Sequence, residues 1–288
     1  MEQLVQKYLS TVNGDYWLTE NEYDNLRISY RIKDIIFEQR SAFQDVMILD
    51  SYNFGRMLVL DGIVQTTSVD GYIYNEMISH VPISIHPNPK KVLIIGGGDC
   101  GAAKEVCKYE EVEQIDVVEI DEVVVKACIE HLPEVSGNLN DPRVRFVFED
   151  GVVFAANKTD EYDVIIVDSS DPIGPAKVLF EKSFYESLHK ALKPDGLMVC
   201  QSQSPIFHSD VMKQSYSRIK ELFKEVKMYT AVVPTYPGGF WSFTIGSKQY
   251  INVNPSKVKN KQTQYVNEQI IESCFGLPQF VVNKLEGK

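Results

Sequence analysis

The chain has 288 residues, 44% of them hydrophobic, and a formal net charge of −11 from 29 basic and 40 acidic side chains. That length and apolar fraction suit one large globular domain or two modest ones, and the acidic balance argues against nucleic acid and anionic membrane as partners while leaving cationic ligands open. Five cysteines without a Cys-x-x-Cys pair, no signal-peptide pattern in Met1-Glu-Gln-Leu-Val and no long apolar run lead us to expect a soluble protein of the reducing cytoplasm.

Residues 1–70 read as strands of a small antiparallel N-terminal domain. Leu26-Arg-Ile-Ser-Tyr-Arg-Ile32 alternates apolar and polar residues, the period of a half-buried strand. Phe43–Leu49 follows, Asn53-Phe-Gly55 and Asp61-Gly62 are turn signals around Arg56–Leu60, and Val64–Ser68 reads as a further strand. No helical pattern interrupts them. Gly71–Val81 changes to period 3.6 and predicts a helix that Pro82–Pro89 ends. From Lys90, strands at 92–95, 114–118, 144–148, 163–167 and 198–201 alternate with helical stretches near 102–109, 121–131, 151–157 and 181–193. That alternation predicts an α/β domain over 71–288, a Rossmann-like, doubly wound, mostly parallel sheet. A helix end and two last strands follow over 221–233 and 240–246. Asn252–Glu268 is polar and reads as a surface connection, and Phe275–Val282 is apolar enough to dock the C-terminus.

The chain is organised around Lys91-Val-Leu-Ile-Ile-Gly-Gly-Gly-Asp-Cys-Gly101, a buried strand feeding a helix through glycines. Such a turn lets a ligand approach the backbone closely. Asp99 at its tip repels anions and welcomes a cation, which points away from dinucleotides. In an open parallel sheet, ligands bind beyond the carboxyl ends of the strands, and four strands here end in acids: at Asp99, at Glu119-Ile-Asp121, at Glu149-Asp150-Gly151 and at Asp168-Ser-Ser-Asp171. Acids in such places also cap helices, and Asp121 reads as a cap. Glu119, about 20 residues past the glycines, is placed to grip ribose hydroxyls. Asp150-Gly151 suits an adenine. Asp168 and Asp171, in a loop that Pro172, Gly174 and Pro175 keep from regular helix, read as a clamp for an amine in which one carboxylate takes a proton. The five histidines show no metal-ligand spacing, and no Gly-x-Ser-x-Gly or Walker pattern occurs.

Gly96-Gly-Gly-Asp99, Val118-Glu-Ile-Asp121, Asp150-Gly151, Asp168-Ser-Ser-Asp-Pro-Ile-Gly-Pro175 and Pro234-Thr-Tyr-Pro-Gly238, in this order, resemble the polyamine aminopropyltransferases, the spermidine synthase family. The resemblance runs from Tyr16-Trp17 to Phe275-Gly-Leu-Pro278. It implies transfer of an aminopropyl group from decarboxylated S-adenosylmethionine, a co-substrate rather than a cofactor, to a diamine, typically putrescine. It also implies a catalytic fold like that of the S-adenosylmethionine methyltransferases, no metal, and a homodimer or homotetramer. On that resemblance Gln39, Glu119, Asp150, Gly151 and Pro175 hold the nucleoside, and Asp99 binds the donor's amine. Asp168 is the proton acceptor, with Gln65, Tyr74, Asp171, Gln201 and Tyr236 around the amines. Two positions depart from the family: Cys100 where Gly is usual, and Asn75 where many bacterial members have His. Asn75 leaves the acceptor open among putrescine, agmatine, cadaverine and spermidine. A methyltransferase on the same fold and a non-catalytic polyamine sensor are the other readings of the acidic pocket.

Overall fold

The computed structural model describes residues 4–22, 25–137, 139–170 and 174–288, with the side chains at 22 and 174–176 outside that description. A short helix, α1 (Leu4–Tyr8), leads into six strands: β1 (Leu9–Val12), β2 (Asp15–Glu22), β3 (Leu26–Arg40), β4 (Asp45–Ser51), β5 (Gly55–Leu60) and β6 (Ile63–Thr67). They pair in chain order as an antiparallel meander. The sequence reading assigns neither α1, whose five residues carry no period, nor the β1–β2 hairpin. The hairpin turns on Asn13-Gly14, with φ of 52° and 87°, and Asp61-Gly62 makes the same turn between β5 and β6 at 49° and 86°. Left-handed backbone at both central residues matches the twist of the flanking strands.

Helix α2 (Gly71–Ile85) links the two halves. From Ile73 to Ile85 every residue is buried, so this helix is covered on all sides. It runs through Pro82 instead of ending there, a correction to the expected break. The chain turns away only at His86, whose N–H still reaches the Pro82 carbonyl at 3.3 Å. Packing around a fully buried helix outweighs the one donor that proline removes.

The second sheet is built from β7 (Lys91–Gly96), β8 (Gln114–Val118), β9 (Val144–Val147), β10 (Tyr162–Asp168), β11 (Leu192–Gln201), β12 (Glu225–Val232) and β13 (Phe240–Ser247). Their order is β12-β13-β11-β10-β7-β8-β9. The five from β9 to β11 run parallel, and β13 and β12 are antiparallel. Between strands lie α3 (Gly101–Val106), α4 (Glu122–His131), α5 (Pro133–Ser136), α6 (Gly151–Ala156), α7 (Lys182–Ala191) and α8 (Ser209–Leu222), with a 3₁₀ segment at Gly174–Phe180. One apolar cluster joins α2 and α3 to one face of this sheet, and another joins α7 to the opposite face. Strands covered on both faces read as the unbroken apolar runs that located them. The predicted strand 198–201 is the end of β11, which starts at Leu192 and shortens the helix expected to reach 193. Among the described residues no helix is long and apolar enough to cross a membrane.

The two sheets share an apolar seam of Val46, Ile48 and Leu58 against Val124, Cys128 and Leu132. At its end Asp121 caps α4 through the Val123 N–H at 3.1 Å and takes the Ser41 hydroxyl at 2.7 Å. Residues 252–268 are more than a surface connection. They form a strap over α2, held by Glu76, whose carboxylate accepts the N–H groups of Gln264, Tyr265 and Val266 at 2.7, 2.9 and 2.8 Å. Beyond the strap, α9 (Glu268–Ser273) and α10 (Gln279–Leu285) follow, and α10 docks Val281 against Met212 and Met228. Glu76 is 1% exposed, so removing it strands three donors. We expect Glu76→Ala to lower stability by about 3 kcal/mol or more and Glu76→Gln by less, read as the shift in urea midpoint at unchanged slope.

Candidate active site

After β7 the chain adds β8 and β9 on one side and then β10 and β11 on the other, so the strand order reverses between β7 and β10, the place where open α/β sheets bind ligands. There the Gly97 N–H donates to the Asp168 carbonyl at 2.9 Å, and Asp168 pairs in register with Gly96. Gly96 and Gly97 have φ of 82° and 68°. A Cβ on Gly96 would sit 2.1 Å from the Asp168 carbonyl, and one on Gly98 would meet Glu119 Oε2 at 3.0 Å. Side chains here would hold the carboxyl ends of β8 and β10 away from the turn. The glycines thus let Asp99, Glu119 and Asp168 line one cavity of about 310 Å³. Its outer wall comes from the first sheet, through Leu58, Leu60, Ile63 and Gln65.

The three acids sit in a low-dielectric setting. Burial, foremost, and then the charge of Asp99 raise the Asp168 carboxyl above its ordinary range, while Tyr74 pulls the other way. Burial also raises Asp99, against the Gly101 N–H at 2.8 Å and the Asn75 amide at 3.2 Å. Glu119 is pushed up to about 7 by burial, opposed by the Asp121 N–H. Burial disfavours the charged form of each group, and a nearby cation favours it. Asn75 is 2% exposed and gives its Nδ2 to Asp99, and its Oδ1 has no hydrogen-bond partner among the described residues.

Tyr74, Gln65 and Tyr236 border both this cavity and a smaller one of about 40 Å³, which Gln201, Glu20 and Trp241 line further in. The Tyr74 and Tyr236 rings meet edge to face at 5.7 Å. The Tyr236 hydroxyl donates to the Gln65 carbonyl at 2.9 Å, and Gln201 Nε2 to the Ser169 carbonyl at 3.2 Å. Glu20 and Trp241 are the residues the sequence reading misses. Glu20 follows Leu18 on the inner face of β2, is 3% exposed and takes the Val64 N–H. The alternation Leu18-Thr19-Glu20, which sets Glu20 on the same face as Leu18, is the signal that could have found it. The Trp241 Nε1 is buried with no hydrogen-bond partner among the described residues.

Most of the predicted site residues converge, but not all. Gln39 is exposed on β3 and does not line the cavity; Gln44, five residues on, does. Asp150 and Gly151 line it, and Asp150 also caps α6 through the Val152 N–H at 2.7 Å. Asp171 and the Pro175 side chain lie outside the described residues. Cys100 takes left-handed backbone at φ 66° with its side chain fully buried, a conformation that costs a non-glycine residue about 1 kcal/mol.

Among the described residues one further group, His86, Asp163 and Asp195, brings potential metal ligands within 4.8 Å of one another. It does not fit a metal. Asp163 already accepts the Lys90 and Lys91 N–H groups at 2.9 and 2.7 Å and the Lys193 ammonium at 2.8 Å. His86 Nδ1 accepts the Asn88 N–H at 3.3 Å, which leaves the ring proton on the nitrogen facing Asp195.

Residues 71–257 match the family model described as the spermine/spermidine synthase domain, and residues 16–68 match the spermidine synthase tetramerisation domain. A polyamine aminopropyltransferase of Clostridium kluyveri is 45% identical over 269 residues, covering 93% of this chain and 98% of that one. One of Methanocaldococcus jannaschii is 43% identical over 281 residues, covering 93% and 96%. A solved spermidine synthase in complex with the transition state analogue AdoDATO superposes with a TM-score of 0.91 at 36% identity, covering 94% of this chain and 95% of that one. The spermidine synthase from Thermotoga maritima gives 0.88 at 36% identity, covering 94% of each. The chain belongs to the spermine/spermidine synthase family and is a transferase of aminopropyl groups.

Proposed function

We propose that the protein moves the aminopropyl group of decarboxylated S-adenosylmethionine to putrescine, giving spermidine and methylthioadenosine. The observation that carries this reading is the convergence of Asp99, Glu119 and Asp168 on one cavity that opens past two tyrosines into a small acidic chamber. The structural relative captured with AdoDATO supports it. Glu119 at the end of β8 suits the ribose, and Asp150 and Gly151 suit the adenine. Asp99 suits the aminopropyl ammonium, which the Asn75 carbonyl can also accept. The small chamber ends at Glu20, an anchor for the far ammonium of a diamine. Its volume of about 40 Å³ favours a short diamine over a longer triamine such as spermidine.

The donor's sulfonium is already an activated leaving group, so the chemical obstacle is the acceptor. An alkyl amine has a pKa of about 10 and is protonated at neutral pH. Asp168, raised by burial and by Asp99, is a stronger base than an ordinary carboxylate and stands beside Tyr74 to take that proton. General-base help of this kind contributes about 10²–10⁴-fold. Alignment of nitrogen, carbon and sulfur contributes up to about 7–11 kcal/mol, so positioning outweighs proton transfer. Asp99 also repels the carboxylate of undecarboxylated S-adenosylmethionine.

We propose further that residues 1–70 and 71–288 act as two domains, and that the chain assembles as a homodimer or homotetramer through the first sheet, where Val12 and Tyr16 are exposed. All five cysteines are free, which supports the reducing cytoplasm.

Incubation with decarboxylated S-adenosylmethionine and putrescine tests the function. We expect methylthioadenosine release; binding of both without release would support a sensor instead, and a panel of amines with one donor ranks the acceptors. Asp168→Asn is expected to lower kcat by about 10²–10⁴-fold with donor binding kept, and near-normal turnover at neutral pH would remove Asp168 as the base. A carboxyl that holds its proton in the fold but not in the unfolded chain makes the native state bind more protons, so stability falls as pH rises from about 4 through the raised value. The ligand-free Asp168→Asn variant should therefore be stabilised over the unaltered protein more at pH 8 than at pH 5, read by thermal melts. Asp99→Asn should improve binding of ordinary S-adenosylmethionine; equal affinity of the unaltered protein for both donors would contradict the repulsion.

A further inference from the structure

We infer that Asp70 is a positioning residue for the amine acceptor: it holds the 233–239 loop so that Tyr236 forms the wall between the two cavities. This rests on the aminopropyl-transfer reading and adds a residue that never touches substrate. Asp70 directly precedes α2, where an aspartate ordinarily caps the helix, but its side chain makes no capping bond. Instead Oδ2 accepts both the N–H and the hydroxyl of Thr235, at 2.7 and 2.5 Å, and Oδ1 accepts the Thr67 hydroxyl at 2.6 Å. Asp70 is 4% exposed and Thr235 3%. The Thr235 carbonyl is fixed in turn by the Tyr30 hydroxyl at 2.9 Å. The residue just before Tyr236 is therefore gripped on both sides of its peptide by the first sheet and its link to α2.

Tyr236 itself is set by what Thr235 fixes. Its hydroxyl reaches the Gln65 carbonyl, its N–H donates to Val233 at 3.0 Å, and its ring packs on Trp241 at 4.6 Å and on Tyr74. Pro237, Gly238 and Gly239 follow, the glycines at φ of 70° and 67°, and the Gly239 N–H closes the turn on the Tyr236 carbonyl at 2.7 Å, so downstream the loop is tied to itself while upstream Asp70 ties it to the rest of the fold. A charged acceptor taking three neutral donors is a strong, directional restraint. A displacement of about 1 Å at a positioning group can cost of order 10²-fold in rate. Asn keeps the shape of Asp70 but replaces one acceptor oxygen by an NH₂ donor, and Thr67 Oγ1 already accepts the Val69 and Asp70 N–H groups at 3.3 and 3.2 Å, so a third donor aimed at it weakens the hold on Thr67 or Thr235.

The test compares the unaltered protein, Asp70→Asn, Tyr236→Ala and the double variant. The readouts are acceptor KM and kcat at saturating donor, and methylthioadenosine affinity by calorimetry. We expect Asp70→Asn to raise acceptor KM about 10-fold and to leave methylthioadenosine affinity within about twofold. In the Tyr236→Ala background the same change should add less than about twofold, because the side chain it positions is gone. Thr235→Val, which keeps the backbone bond and loses the hydroxyl one, should give a smaller version of the same split and serves if Asp70→Asn does not fold. Multiplicative effects in the double variant, or equal loss of acceptor and methylthioadenosine binding, would overturn the inference. Absence of methylthioadenosine release by the unaltered protein would instead bring down the parent reading.

Discussion

Three partly buried carboxylates, those of Asp99, Glu119 and Asp168, crowd one cavity, and the surrounding fold is arranged to bring them that close. Like charges in a partly dry space repel strongly, and burial raises all three above their ordinary range. The glycine run is what makes the crowding geometrically feasible. With no side chains at Gly96–Gly98, the ends of β7, β8 and β10 close to hydrogen-bonding range, and Asp168 stands over the turn that carries Asp99. A positive charge among these acids is electrostatically favoured, and a negative one adds to their repulsion.

The catalytic sheet was legible in the sequence because parallel strands buried on both faces leave unbroken apolar runs, and because their last residues are acids at fixed spacing. The strand 114–118 and the helix start after Asp121 could be read to the residue for that reason. What failed to show had identifiable causes. The β1–β2 hairpin has short strands with little alternation, and its one clear signal, Asn13-Gly14, lies between runs too polar to attract notice. Pro82 reads as a breaker because local propensity says so, and only the complete burial of α2 overrules it. Gln39 is named from the family resemblance alone, and no pattern in β3 fixes the face it takes, since the strand carries irregularities at 32–34 and 35–37. Glu20 stayed hidden because its partner, Val64, is 44 residues away.

The first sheet is as much part of the site as the second. It supplies the outer wall of the large cavity and the acidic end of the small one, and it grips Thr235 from two directions. Asp121 and the seam around Leu58 and Val124 fix the sheets against each other. The small cavity is thus built from segments more than 160 residues apart, and neither half presents it complete.

The strap over α2 has a consequence for how the protein comes into being. Residues 264–266 emerge from the ribosome long after the helix they cover, and until then Glu76 has none of the three amides it holds in the finished fold. A buried carboxylate without such donors resists desolvation, so full docking of the helix depends on the strap. The pocket residues Tyr74 and Asn75 ride on that same helix. Residues 264–266 line neither cavity, so whatever loosens the strap reaches the pocket through that one helix.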